Sequence, residues 1–326
     1  MSVNCANAEA TARYSERFAG RAANGHFRQQ HGLVLSSIGI GTYLGNPDET
    51  TDANYADAVV RAVQLGVNVI DSAANYRFQR SERSIGEALQ TLASKHGIGR
   101  DELVICTKGG YLPFDGAPPR NVREYVEETF VKPGIASFDD IVGGMHCMTP
   151  TYLQNQLEQS LRNMKLECVD VYYIHNPETQ LQYVSEDEFY TRLRYAFEQL
   201  EKNRAEGKLA YYGVATWNGF RVAPDSGAHH SLFRMFEAAN EVGGEDHGFR
   251  FIQLPFNERM REGEVVMGTA QRLGVTVVTS ASLMQGRIPP RRAIEFVRSQ
   301  PGITTALIGM SRVEHVEENL AADLRK

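Results

Sequence analysis

The chain has no apolar run approaching the roughly 18 consecutive residues that a membrane-spanning helix requires, and its first residues lack the apolar core of an export leader. These absences predict a soluble, unexported, cytoplasmic protein with no membrane partner. The four cysteines, Cys5, Cys106, Cys147 and Cys168, make no CxxC pair and no zinc-ligand spacing, which predicts reduced thiols and no metal site. Acidic residues outnumber basic ones, 40 to 34, and neither kind is gathered into blocks. That argues against nucleic acid as a partner, because nucleic acid needs a concentrated basic face. Any anionic ligand must then be held by a local site. Internal repeats, low-complexity tracts and domain-separating linkers are also missing.

What is present is a chain of 326 residues, 42% hydrophobic, long enough for one large α/β barrel or two ordinary domains. A polar segment, residues 1–31, comes first. Over residues 32–326, short β-rich runs then alternate with longer amphipathic stretches. The candidate strands are SIGIGTY (37–43), VNVIDSA (67–73), LVICTK (103–108), VDVYYIH (169–175), LAYYGVA (209–215), FIQLPFN (251–257), VTVVTSA (275–281) and TALIGM (305–310). Helical patterns such as SERSIGEALQTLASKHG and TYLQNQLEQSLRNMK lie between them, several closed by glycine. Eight such units in one chain of this size predict a closed, single-domain (β/α)8 barrel of the TIM type rather than an open sheet.

In these barrels chemistry collects at the C-terminal ends of the strands. Asp71, Lys108 and His175 each fall at or near such an end, and Tyr76 follows in the loop after the second strand. The stretch from 109 to 149 is too long for a plain connection, so it is expected to overhang the cup and take part in substrate selection.

A phenol can give a proton to a carbonyl oxygen, but its ordinary pKa of about 10 makes it a weak acid at neutral pH. Lys108 would bring the Tyr76 value down, Asp71 would orient and hold the ammonium, and His175 would hydrogen-bond the substrate oxygen. Taken singly, each has a structural explanation: an ion pair, a loop aromatic, an interior histidine. Together at strand ends they point to a reaction site. The set has an acid but no strong nucleophile and no metal ligands, and hydride from a nicotinamide fits what is missing.

The runs IDSAANY, SERSIGEAL, the TK closing LVICTK, VDVYYIHNP and IGMSRVEHVEENLAADL resemble the aldo-keto reductases over roughly residues 33–325. That resemblance implies reversible reduction of aldehydes or ketones to alcohols by NADPH, with NADH as the alternative donor. In the implied tetrad Tyr76 is the acid, Lys108 and Asp71 tune it, and His175 orients the carbonyl. The loop SLMQGR, with Ser282, Leu283, Gln285, Gly286 and Arg287, is similar to the family's pyrophosphate belt. SRVEHVEEN would hold the adenosine end, with Ser311, Arg312, His315, Glu318 and Asn319, and Arg312 would face a 2′-phosphate. Gln253 matches the glutamine that holds the nicotinamide carboxamide.

Several positions depart from the family pattern. The residues RFQR separate Tyr76 from Ser81. Ala215 and Thr216 replace the usual serine-asparagine pair, leaving Thr216 to supply part of that contact, and Ser280 stands where an aromatic would stack on the nicotinamide, with Trp217 as the candidate substitute. His146 and Cys147 read as loop structure or substrate contact, and His229 and His230 as exposed helix-start residues. Phe78, Tyr111, Phe114 and Met145 are candidates either for lining the substrate pocket or for packing the loops. The expected partner is a small carbonyl compound, and an open cup would favour bulky or aromatic ones. A second reading is a cofactor-binding regulatory subunit of the channel β-subunit type. The natural substrate, the direction of reaction and the oligomeric state do not follow from the sequence.

Overall fold

The computed structural model describes residues 5–320. Eight parallel strands close into a barrel: β3 (Ile38–Gly41), β4 (Val69–Asp71), β5 (Val104–Gly109), β6 (Val169–His175), β7 (Leu209–Ala215), β8 (Phe249–Pro255), β9 (Thr276–Ser280) and β10 (Ile303–Gly309). The seam is β10 against β3, with Ala306 opposite Ile38. Each strand is followed by a helix on the outside: α2 (Glu49–Gln64), α3 (Arg80–His96), α5 (Pro150–Met164), α6 (Glu186–Ala205), α7 (Leu232–Gly243), α8 (Glu264–Leu273), α9 (Pro290–Ser299) and α10 (Val313–Leu320). Valine, isoleucine and aromatics dominate the strands because both of their faces are covered.

Two elements precede the barrel, α1 (Ala8–Glu16) and the antiparallel hairpin of β1 (Phe27–Gln30) and β2 (Leu33–Ser36). The boundary expected at residue 31 falls in the turn of this hairpin. Leu33 and Leu35 of β2 join Val69, Val104, Cys106, Val171, Tyr173, Phe251, Val278 and Leu307 in the barrel's interior, so the hairpin plugs its N-terminal end. The preceding segment, polar in composition, is docked through its few apolar residues. Tyr14 is fully buried with its hydroxyl donating to the carbonyls of Val63 (2.5 Å) and Val67 (3.0 Å). Phe18 packs into the main core, and Arg13 and Arg17 pair with the buried carboxylate of Glu102.

This docking corrects the expectation that all four thiols are free. Cys5 and Cys168 are joined in a disulfide with Cα atoms 5.5 Å apart, while Cys106 and Cys147 are free and buried. The pair joins the chain ahead of α1 to the residue before β6, a contact that no local spacing rule would detect.

The segment between β5 and α5 folds on itself. It carries α4 (Val122–Val126) and a small core of its own, in which Leu112, Val126, Phe130, Ala136, Ile141 and Cys147 gather around Tyr152 of α5. Gly110 starts the excursion at φ 140°, where a Cβ would lie 2.8 Å from His146 Nε2 and 3.1 Å from the His175 carbonyl oxygen. Only glycine fits there.

Candidate active site

Along the barrel strands alternate residues face inward. Val69 and Asp71, Val104, Cys106 and Lys108, Val171, Tyr173 and His175, and Phe251 and Gln253 are such series. The earlier members fill the interior cluster. The polar members therefore form the next layer, at the C-terminal ends of the strands.

Within that layer Lys108 Nζ donates to Asp71 Oδ2 at 2.5 Å and to the Ser72 carbonyl at 2.7 Å, with Lys108 only 1% exposed. Gln253 Nε2 donates to the second Asp71 oxygen at 2.9 Å. The same ammonium lies 4.8 Å from the centre of the Tyr76 ring. That ring meets His175 edge-on at 5.7 Å and Tyr43 at 5.0 Å. The four residues singled out by sequence thus meet in one cup, and Tyr43 joins them. Sequence reasoning left Tyr43 aside, although it closes the SIGIGTY run at a strand end.

The electrostatics differ from expectation at one point. Burial pushes the Tyr76 phenol up, Lys108 pulls it back and Asp71 adds to the rise, so the net direction is upward. The tuning expected of Lys108 is outweighed chiefly by the burial of the phenol, with the Asp71 charge adding to the rise. Tyr76 consequently holds its proton firmly. For Lys108 itself burial lowers the value, but Asp71 and Tyr76 more than offset this and the ammonium is stabilised. Burial, with Lys108 nearby, drives His175 well below its ordinary range, so its ring is neutral, and its Nδ1 has no partner among the described residues.

His175 is held from behind. Gln180 Oε1 accepts from Arg192 (2.9 Å), which orients the amide so that Gln180 Nε2 donates to His146 Nδ1 at 2.9 Å. His146 Nε2–H is left to donate to the His175 carbonyl at 2.8 Å. His146, fully buried, is therefore loop structure bearing directly on the site. Burial pushes both His146 and His26 down to about 4, from 6.5 in the unfolded chain. Between those values the unfolded chain binds protons that the folded one refuses, so stability is complete above about 6.5 and falls as pH drops towards 4, by about 3 kcal/mol from His146 alone. Thermal denaturation across this window should show a shallower fall in His146→Gln than in the wild type.

The RFQR insertion has an unusual backbone. Arg77, Phe78 and Gln79 have φ of 48°, 58° and 70°, three consecutive left-handed residues, each costing about 1 kcal/mol or more. Their side chains hold them there. Arg77 bonds the Asn46 carbonyl (2.9 Å), pairs with Asp52 and covers the Tyr55 ring. Gln79 donates to the Phe114 carbonyl (3.1 Å) and accepts from Asn163 (3.1 Å). Phe78 stacks on Phe114 at 6.2 Å, so both pack the long segment down, whereas Tyr111 lies edge-on to His175 at 5.2 Å and Met145 is exposed.

Besides Gln253 on β8, the positions expected to bind a cofactor fall in three places on the same face. Thr216 follows β7, with its amide donating to the Gln253 carbonyl at 2.8 Å. Ser282, Leu283, Gln285, Gly286 and Arg287 form the turn after β9, where Gln285 (φ 56°) and Gly286 (φ 79°) are left-handed and residues 285–287 are exposed. After β10 come Ser311 and Arg312, then His315, Glu318 and Asn319 on α10. Arg312 donates to His315 Nε2 at 3.0 Å on the surface, and Glu318 is exposed. Thr216 Oγ1, Ser282 Oγ and Asn319 Oδ1 are buried with no partner among the described residues. A correction concerns His230, expected to be exposed: it is 1% exposed, stacked on Phe189 at 5.0 Å, with Glu178 Oε2 3.6 Å from its Nε2.

A closed parallel barrel with a buried lysine–aspartate pair, a tyrosine and a neutral histidine at its C-terminal mouth defines a class of barrel oxidoreductase. The family model for the aldo/keto reductases matches residues 37–292, and the chain belongs to the aldo/keto reductase family, whose members are NAD(P)H-dependent oxidoreductases. An uncharacterized oxidoreductase of Bacillus subtilis is 22% identical over 319 residues, covering 89% of this chain and 88% of that protein. Among solved structures, a glycerol dehydrogenase from Gluconobacter oxydans has a TM-score of 0.63 at 19% identity, covering 92% and 90% of the two chains. An aldo/keto reductase from Klebsiella pneumoniae in complex with NADP and acetate has a TM-score of 0.60 at 18% identity, with the same coverage. Among the described residues no helix is long and apolar enough to cross a membrane.

Proposed function

We propose that the protein reduces aldehydes or ketones to alcohols with NADPH, reversibly, and that Tyr76 supplies the proton to the substrate oxygen. The observation that carries this reading is the packing of the Tyr76 ring between the Lys108–Asp71 pair and the neutral His175. When bound, the nicotinamide supplies the hydride. Tyr76 keeps its proton until an oxygen in contact with it gains negative charge, and Lys108 then stabilises the phenolate left behind. His175, neutral, is suited to hydrogen-bond the same oxygen without competing as an acid. Tyr43, Tyr111 and Trp217 give the mouth planar apolar walls, which suit bulky or aromatic carbonyls.

The residues present fit the cofactor. Thr216, Ser282 and Asn319 each offer a buried polar atom with no partner among the described residues, as expected of groups that complete their hydrogen bonds on a ligand. Arg312 at the start of α10 suits a 2′-phosphate, and His315, by accepting from the guanidinium, orients it. Gln253 keeps a second amide N–H and its Oε1 for the carboxamide while its bond to Asp71 orients it.

The test follows the near-ultraviolet absorbance of NADPH, and separately NADH, as the purified protein meets a panel of aldehydes and ketones. Turnover with NADPH supports the reading. Cofactor binding without turnover anywhere on the panel would replace it with the regulatory-subunit reading. In Arg312→Ala the Kd for NADPH should rise about tenfold or more, the loss of a hydrogen bond to a charged group, with that for NADH little changed. Equal effects on the two cofactors would remove Arg312 from the 2′-phosphate site.

A further inference from the structure

Glu178 is a buried carboxylate that the tetrad does not use. It lies three residues past His175, in the 3-10 turn Pro177–Gln182, and is 4% exposed. Its Oε1 accepts from three successive backbone amides, those of Trp217 (2.7 Å), Asn218 (2.8 Å) and Gly219 (3.4 Å). Successive amides pointing to one place form a nest that an anion fills, and a side chain from another element is an effective way to fill it permanently. Burial raises the Glu178 value, but His230 and these amides more than offset it, so the carboxylate is charged.

The far side of the same loop is clamped by His230. Its amide donates to the Gly219 carbonyl at 2.7 Å, and its ring packs so close that a Cβ on Gly219 would lie 2.2 Å from it. Glu178 and His230 therefore grip residues 217–219 from both sides. The gripped stretch begins immediately after Thr216, whose buried hydroxyl awaits a partner, and includes Trp217, whose side chain is the chain's single indole and is 48% exposed. Exposed side chains are ordinarily free to move; this one has its backbone fixed to the turn that also follows His175.

We infer that Glu178 is a positioning residue: by pinning the amides of Trp217–Gly219 it fixes the Trp217 indole and the Thr216 hydroxyl relative to His175, forming the wall against which the nicotinamide half of the cofactor rests. This rests on the reading of the protein as a nicotinamide-dependent reductase. It also gives Ser280 of β9, too small to stack on a ring, a substitute two strands away, after β7.

The single tryptophan makes the inference measurable without turnover. Glu178→Ala and Glu178→Gln are compared with wild type by emission of the cofactor-free protein, quenching of that emission on titration with NADPH, thermal denaturation and steady-state kinetics. In Glu178→Ala the emission maximum should move to the red and the amplitude of NADPH quenching should fall. KM for NADPH should rise about tenfold with kcat changed less, the effect of one lost charge-assisted contact set. Glu178→Gln, which keeps an acceptor oxygen, should recover much of the emission and quenching. Unchanged emission, quenching and KM in both variants would overturn the inference, as would a lowered melting temperature with those three intact, since that marks a purely structural carboxylate. Absence of NADPH quenching in the wild type would instead overturn the cofactor reading, while the cofactor-free emission still decides whether Glu178 positions Trp217.

Discussion

Tyr76→Phe is expected to lower kcat by a factor of about 10² to 10⁴, the usual contribution of a positioned general acid, while the Kd for NADPH changes little. The substitution removes one oxygen and leaves the ring, so the edge contacts to Tyr43 and His175 and the position over Lys108 survive. A loss confined to kcat therefore assigns the effect to the proton rather than to the shape of the cup. The upward direction of the phenol's pKa strengthens the expectation. An acid that holds its proton firmly delivers it only where charge develops, and neither Tyr43 nor Tyr111 sits over the ammonium to replace it. Burst-free kinetics within tenfold of the wild type would show that the proton comes from elsewhere, while a matched rise in Kd would point to disturbed cofactor binding.

Lys108→Met should do two separable things: abolish turnover and destabilise the fold by about 3–5 kcal/mol, because Asp71 is left buried without its cation. Gln253 would still donate to one carboxylate oxygen, but a neutral amide cannot balance the charge. The double variant Asp71→Asn, Lys108→Met removes both charges and should recover most of the lost stability while remaining inactive. Thermal or denaturant unfolding of the two variants and the wild type decides the matter. If the double variant is no more stable than the single one, the pair is held for packing rather than charge balance. If either turns over, the lysine is not needed to stabilise the phenolate.

The barrel was legible because its strands are buried on both faces and read as apolar runs; VDVYYIH and LAYYGVA coincide with β6 and β7. The runs overshoot at β3 and β4, where the chain leaves the ladder at the cup's edge, and fall short at β8 and β10, each of which begins two residues earlier. The meeting of Asp71, Lys108 and His175 at one end of the barrel was legible for the same reason, and Tyr76 follows in the loop after β4. What escaped depends on partners distant in sequence. Burial of His230 is supplied by Phe189 on α6, with Phe220 of its own loop at its edge. Cys5 meets Cys168 across 163 positions. Glu178, in a run of polar residues, resembles an ordinary solvated charge until the loop after β7 folds over it. The direction of the Tyr76 shift was misjudged because a sequence displays the lysine but not how completely the phenol is buried.

The seam between β3 and β10 has a consequence for how the protein is made. A ribosome has released Asp71, Tyr76, Lys108 and His175 by residue 175 of 326, yet the strand that seals β3 spans residues 303–309. Until it emerges, β3 and β9 both present unpaired edges, the state in which parallel sheets are most prone to associate with other chains. The turn after β9 is made just before the seal and α10 just after it. The residues proposed for the cofactor's phosphates thus arrive with the strand that closes the barrel, and a nascent chain bearing Asp71, Tyr76, Lys108 and His175 gains them only as it loses its last exposed edge.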